Sequence, residues 1–459
     1  MGMADPELTA NDLPGTGWRG AVRQLWRAKL VRNIVTTISG SAGAQAINLA
    51  LIPLIMRIYG PEAFGVVGTF QSLTIILIPW CALTYPMAVV LPQSERDARG
   101  LIRLSLWVAA AICGVTALLL YGWGEAASRA LGIELLIPYL MLLPIVMFSS
   151  AVLEITQQWL YRNQRYKLTA RAATLHALIY NATRSGAGLI LATAPVLVVT
   201  SALYYVIHGA LLLIGIRLRR EPSLLARAHI VPEVTEEPRK TLRQLAAEYR
   251  DFPLFRAPQV LINALSVHMP TLVLASAFGA VPAGFFALCL QVLAMPSNFI
   301  GKAVGSVYYP RITQAIHARE PVAGLLVRGV AGMSLAGLVP FAALVIAGPW
   351  MFHLAFGGEW ETAGEYARWL AISEFAGFIG GPCLVAIPAL SLQKIFLVFE
   401  IVSTSLRISA VLAGAFFFKD ALAVVMAFAA ANVLINLSMI VIVLFEARRW
   451  HRRLCQEQL

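Results

Sequence analysis

The chain has 459 residues, 59% of them hydrophobic and 13% charged, with a formal net charge of +12 and a mean hydropathy of +0.73. A soluble domain carries roughly a quarter charged residues, so this composition excludes an ordinary globular protein. The basic excess lies in short clusters between apolar runs, which suits topology determinants beside anionic lipid and argues against a nucleic-acid partner.

Residues 1–31 read as a cytoplasmic tail. Within it, WRGAVRQLWRAKL places Trp18, Val22, Leu25, Trp26 and Leu30 on one helical face and Arg19, Arg23 and Arg27 on another. That pattern predicts an interfacial amphipathic helix rather than a signal peptide. Apolar stretches of about 20 residues then recur along the chain, and the alternating ~10-residue strands of a membrane barrel are missing. The reading is an all-α polytopic membrane protein of about twelve transmembrane helices in two six-helix lobes around a central cavity.

In chain order the predicted spans are 32–58, 63–91, 101–121, 133–158, 170–193 and 195–217 in an N-terminal lobe (32–217). A cytoplasmic linker follows over 218–254. The C-terminal lobe (255–446) holds spans 255–278, 283–308, 322–347, 364–388, 394–418 and 421–446, before a basic cytoplasmic tail, 447–459. With both ends in the cytoplasm, 28 of the 36 Lys and Arg residues fall on that side. The positive-inside rule demands this bias, and losing one span would scramble it.

The two halves echo each other. YGPEAFGVVG (59–68) aligns with FGAVPAGFFA (278–287) at a constant offset of 219, pairing Gly60 with Gly279 and Gly65 with Gly284. Tandem parallel halves are a transporter architecture with the substrate path between the lobes. The glycines suggest a tight turn and close approach, fixing the angle between the first two helices of each half.

Charge is expensive in lipid, so its placement is informative. Asn33, Thr37, Ser41, Gln45 and Asn48 form a stripe on the first span, and Arg256, Gln259, Asn263 and Ser266 form one on the seventh. They read as two walls of a water-accessible cleft, or alternatively as interhelical hydrogen bonding. Arg184, Lys302 and Arg407 lie within spans and Arg57 at the outer end of the first. Glu154, Glu374 and Glu400 are membrane carboxylates able to couple an ion gradient, and no sequence signal selects among them. Glu400 and Arg407 share a face of the eleventh span. His176 and His268 are apolar-flanked and read as core histidines. Cys81, Cys113, Cys289 and Cys383 lie in apolar runs without metal-ligand spacing. The five aspartates all lie outside span interiors, and no HExxH motif or phosphate loop is present. The chain is therefore read as neither an enzyme nor a cofactor or metal protein.

At RIYGPEAFGVVGTFQSLTIIL the sequence resembles Wzx-type polysaccharide flippases of the multidrug/oligosaccharidyl-lipid/polysaccharide exporter superfamily, with support from NIVTTISGSAGAQ, AVVLPQSERDA and PSNFIGKAVGSVYYPRI. The resemblance implies a V-shaped cavity in the bacterial inner membrane, opening alternately to each side. The implied cargo is an undecaprenyl-diphosphate-linked oligosaccharide moved to the periplasmic leaflet for surface polysaccharide, O-antigen or exopolysaccharide. Membrane lipids and a polysaccharide polymerase with its export machinery are the implied partners. On that basis Arg256 and Lys302 would contact the diphosphate, with Arg57 serving the outward-facing state, and Gln45, Asn48 and Asn263 would meet sugars. Arg184 and Arg407 are further substrate candidates. The competing readings are a drug or cation exporter of the same fold and a non-transporting membrane subunit of a synthase complex.

Overall fold

Apolar segments of this length must satisfy their backbone polar groups internally, which leaves the helix as the only open route across a bilayer. The computed structural model describes residues 29–218, 240–318, 320–390 and 392–456, and among these it is helical almost throughout. Its long helices are α1 (Lys29–Ile58), α2 (Pro61–Cys81), α3 (Glu95–Ala130), α4 (Leu142–Arg162), α5 (Tyr166–Ile190) and α6 (Ala194–Leu218), then α7 (Ala257–Phe278), α8 (Ala280–His317), α9 (Val322–Phe356), α10 (Glu361–Ile379), α11 (Gln393–Ala413) and α12 (Ala421–Gln456). Beyond Gly380, α10 continues as Gly381–Ala389. The brief interruption expected between the fifth and sixth spans falls between Ile190 and Ala194. The proposed interfacial segment, 18–30, lies almost wholly outside the described residues.

Among the described residues, eight helical stretches are long and apolar enough to cross a membrane, and Gly43–Ile58 and Ala280–Met295 are shorter apolar pieces. Helices α4 and α5 do not reach that hydropathy because they carry the residues of interest, Glu154 and Gln157 on one and Asn181 and Arg184 on the other. Polar spans are stable only where neighbouring helices cover them.

Twelve traverses bring Lys29 and Gln456 to the same end of the bundle, called proximal here; the α1–α2 and α7–α8 turns mark the distal end. The two halves meet distally. One continuous core there draws Ile55, Tyr59 and Phe64 from the first half and Phe285, Phe286 and Trp360 from the second. Phe64 and Phe285 both set their rings edge-on to Trp360, at 5.8 and 6.0 Å between centroids. Proximally the cores separate. Ile312, Leu326, Ile387 and Val443 cluster within the second half, and Leu153, Leu160 and Leu212 within the first. The halves thus share one core at the distal end and keep separate cores at the proximal end.

The repeated hairpin accounts for the join. Pro61 opens α2 rather than ending α1, a position where its missing N–H is no loss, and Gly60 is extended (φ −69°, ψ 170°). The glycine that needs its freedom is Gly279 (φ +88°). Gly65 and Gly284 act inside their helices. A Cβ on Gly65 would overlap the Ala280 carbonyl, and one on Gly284 would overlap the Pro61 carbonyl and lie 2.9 Å from the Gly65 nitrogen. Residues 61 and 65 of one half therefore meet 280 and 284 of the other reciprocally, and a Cβ on Gly68 would come 2.7 Å from that of Ala287. The offset of 219 in the sequence is a two-fold contact in space.

Three further hydrogen bonds, from two side chains, lock the distal end. The Trp360 indole N–H donates to the Met56 carbonyl (3.0 Å), and the Arg57 guanidinium donates to the carbonyls of Leu354 (2.7 Å) and Ala355 (3.2 Å). At the proximal end a short helix, Leu242–Glu248, begins with a Thr241–Gln244 capping box. Its Leu245 is buried against Ala88, Val89 and Leu101 of the first half. Lys240 bridges Glu248 (2.9 Å) and Asp97 (3.7 Å), and its hydrogen bond to Glu248 holds the ammonium pKa above its ordinary value.

Candidate functional site: a polar cleft between the halves

Where the cores part, two connected chambers open. The deep chamber, about 460 Å³, is walled by α1, α2, α5 and α6 on one side and α7, α8 and α10 on the other. Asn48, Gln71, Arg184, Gln291 and Glu374 are its principal polar groups. The second chamber, also about 460 Å³, lies nearer the proximal end and takes Ser150, Glu154 and Gln157 from α4 and Asn263 from α7. Ile75, Tyr205, Val267 and His268 border both chambers and form the neck between them.

Arg184 sits on the wall of the deep chamber. It is 5% exposed, and its Nε and Nη2 hydrogens find no acceptor among the described residues. Its guanidinium stands 5.2 Å above the Tyr180 ring, a cation–π contact that orients it without satisfying those donors. The Tyr59 hydroxyl donates to its backbone carbonyl (2.9 Å), tying this turn of α5 to the distal hairpin. One turn away, the Asn181 amide donates to Asn48 Oδ1 (2.6 Å) and joins α5 to α1. Behind Tyr180 the imidazoles of His176 and His208 stack at 4.6 Å, with Tyr204 edge-on to His176 at 4.4 Å.

The residues singled out in the sequence fall into distinct places. Asn48, Arg184 and Glu374 line the deep chamber, and Glu154 and Asn263 line the proximal one. Gln45 is exposed and lines neither chamber. Arg256 is exposed at the proximal start of α7, donating to Gln259 (2.9 Å). Arg57 belongs to the distal lock. The side chain of Lys302 lies outside the described residues. Glu400 and Arg407 are bound separately to α7: Asn263 donates to Glu400 (3.4 Å), while Arg407 donates to Ser266 (2.7 Å) and to Asn432 of α12 (2.8 Å). The polar stripe on α7 therefore serves both purposes weighed for it, Asn263 facing a chamber and Ser266 bonding between helices.

Sequence reasoning did not single out Tyr180, Asn181, Tyr204 and Tyr205. Their signal was present in YNATR, where Tyr180, Asn181 and Arg184 share a helical face, and in YYVIH, where Tyr204 and His208 do.

Two helical halves sealed at one end around a polar cleft define a polytopic all-α membrane protein. The fold matches an inward-facing multidrug resistance MATE family transporter of the MOP superfamily, with a TM-score of 0.67 at 13% identity over 91% of this chain and 97% of that one. It also matches a MOP superfamily transporter from Pyrococcus furiosus Vc1 (DSM3638) described as having reversed binding-pocket polarity (TM-score 0.58, 13% identity, 94% and 97% coverage). In sequence, residues 54–365 match the polysaccharide biosynthesis protein family, and the chain belongs to it. The succinoglycan biosynthesis transport protein ExoT of Rhizobium meliloti (strain 1021) is 23% identical over 377 residues, covering 79% of this chain and 69% of that protein. The chain is thus a polytopic all-α membrane protein of the polysaccharide biosynthesis protein family, with a fold like that of the solved MOP superfamily transporters.

Proposed function

We propose that the protein flips a lipid-diphosphate-linked oligosaccharide across the bacterial inner membrane by alternating access. The observation that carries this reading is Arg184: a buried guanidinium with unused donors on the wall of a cleft that reaches toward one face of the membrane. Burying an unpaired charge is costly, and a phosphate oxygen would complete it with short, charge-assisted bonds. The neutral amides and hydroxyls around it suit sugar hydroxyls, while the prenyl tail stays in lipid. The distal seal and the proximal cleft together suit loading from the side of the termini, which the Lys/Arg distribution puts in the cytoplasm. Within this reading Arg184 and Asn48 contact the head group in the deep chamber and Asn263 meets sugars in the proximal one. Arg256 and Lys302 would receive the diphosphate at the mouth. The two lobes, 32–217 and 255–446, would move as units and part at the glycine contact when the distal end opens.

Cation export is a second reading, favoured by Glu154, Glu374 and the tyrosines of the cleft. The unpaired arginine and membership of a polysaccharide family favour the anionic cargo. The deciding experiment reconstitutes the protein in vesicles with a fluorescent undecaprenyl-diphosphate oligosaccharide and follows its exposure to a membrane-impermeant glycosidase. Protein-dependent acceleration is expected. Its absence under imposed proton and sodium gradients, with transport of a cationic dye instead, would replace the flippase with the exporter.

A further inference from the structure

The end of the segment between the halves is tied to the first of them. Its short helix, Leu242–Glu248, buries Leu245 against Leu101, and a Cβ on Gly100 would lie 2.5 Å from the leucine Cδ1. The Tyr85 hydroxyl donates to the Ala246 carbonyl (3.4 Å), and Lys240 reaches Asp97 at 3.7 Å. The receiving surface is itself fixed. At the end of α4 the Arg162 guanidinium donates to the carbonyls of Val89, Val90, Pro92, Gln93 and Ser94. All of these partners belong to the first half.

The tie ends on one carbonyl. Past the short helix, Phe252–Arg256 winds as a π turn in which the Ala257 N–H donates to the Phe252 carbonyl, five residues back. The same carbonyl accepts from the Thr84 hydroxyl (3.1 Å). Thr84 and its neighbour Leu83 are both left-handed, at φ +56° and +48°. That conformation is unfavourable for a residue with a Cβ and persists where the surroundings impose it. Pro253 and Pro258 have no N–H to give to an α-helical ladder, and none of the five residues of the turn is buried. Beyond the turn α7 is bonded to α11 of the second half, through Asn263 and Glu400 and through Ser266 and Arg407. It also lies along α2, a contact that must slide if the halves move.

We propose that residues 240–251 move with the first half, and that Phe252–Arg256 is the joint at which α7 bends as the proximal mouth opens and closes. The mechanical boundary then falls inside the π turn rather than at the end of α6. Hinges are often a few element-terminal residues that absorb the backbone change, and π turns recur at functional positions in helices. Thr84 holds the Phe252 carbonyl on the first half, while the helix beyond it follows the second. The joint thereby sets where Asn263 and His268 stand against the opposite wall of the cleft. This inference rests on the alternating access of the proposed function and on no particular cargo.

Spin-label distances in the full chain, reconstituted in phosphatidylethanolamine–phosphatidylglycerol vesicles, test it. In a cysteine-free background, Arg103→Cys with Arg328→Cys spans the mouth from the first half to the second. Arg243→Cys is paired in turn with Arg328→Cys and with Arg103→Cys; all three positions are exposed. Each pair is measured with and without Gly65→Val, which forces the distal contact apart. The two distances to residue 328 are expected to change together, while the 243–103 distance keeps a single unshifted peak. A shift in the 243–103 distance overturns the inference, and movement at the mouth would leave alternating access standing. A mouth that does not respond in folded protein overturns alternating access and this inference with it. A second test needs no opened seam. Gly100→Cys with Leu245→Cys would tie the short helix to α3, since a Cβ at 100 would stand 3.9 Å from the Leu245 Cγ. Exchange of a fluorescent undecaprenyl-diphosphate oligosaccharide should continue unchanged after oxidation. Arrest on oxidation, reversed by reductant, would mean that the short helix has to leave the first half, and overturns the joint. Exchange absent even from the reduced protein overturns the flippase reading, and not the joint.

Discussion

Arg184 occupies a position that a structural arginine has no reason to hold. Its neighbours orient it, Tyr180 beneath the guanidinium and Tyr59 on its carbonyl, yet two donor groups are left over. Removing such a group should relieve the folded protein and disable the cargo site. Arg184→Gln is expected to lower the flipping rate at least roughly tenfold, the range for losing a charge-assisted contact, with no fall in melting temperature. Arg184→Lys keeps the charge without the fork and should fall in between. A large loss of stability in either variant, with flipping intact, would make the residue a packing element. Arg407 is the contrast: its bonds to Ser266 and Asn432 already satisfy it. Arg407→Gln should therefore act on stability first, leaving the buried Ser266 and the half-buried Asn432 short of a partner at about 1–3 kcal/mol. A thermal-shift measurement on purified protein distinguishes the two arginines.

At the scale of helices, the crossing of α2 with α8 and the bonds around Trp360 decide how firmly the distal end stays shut. Gly65→Val places a branched side chain where the Ala280 backbone lies. Overpacking of this kind costs about 1–3 kcal/mol, and its expected signature is a lowered melting temperature with a more open distal end. Trp360→Phe is milder. It keeps most of the ring but loses the donation to Met56, a bond worth about 1 kcal/mol, or roughly a fivefold change in the ratio of sealed to open forms. A cysteine at Ile52, buried beside the deep chamber, should react correspondingly faster with an impermeant maleimide from the distal side. Unchanged labelling would mean that the indole bond is not part of the seal. Most of this level was legible in the chain. The spans came from hydropathy and the hairpin from its repeat, while Arg184 stood in the sequence only as one substrate candidate among several. The direct meeting of Gly65 with Gly284 was not legible, because an offset between two segments says that they are alike and nothing about whether they touch. The tyrosines stayed hidden for a related reason. An aromatic in an apolar helix looks the same whether it faces lipid, core or cleft, and only the partner helices decide.

For the molecule as a whole, transport by rocking requires that the distal contact break. In a cysteine-free background, Gly68→Cys with Ala287→Cys would place two thiols across the interface, where the present Cβ positions would be 2.7 Å apart, closer than a disulfide needs by about 1 Å. Oxidation should stop flipping and reduction restore it; continued flipping with the cross-link in place would rule out opening at this seam. The repeat at an offset of 219 had suggested two matched halves, and the packing adds where they are sealed and where they part. The reciprocity of the glycine contact carries a consequence of its own. Residues 61 and 65 touch 280 and 284 in both directions, as a surface touches its own copy across a rotation axis. Before the two halves were one chain, a six-helix homodimer could have been held together by that self-match, and a single glycine codon would have written both sides of the interface. Joining the copies freed each to change alone. In the present chain Arg184, Tyr180, Tyr204 and Tyr205 line the cleft from the first half and His268, Gln291 and Glu374 from the second, so the pocket has a front and a back where a symmetric pair would have a pore.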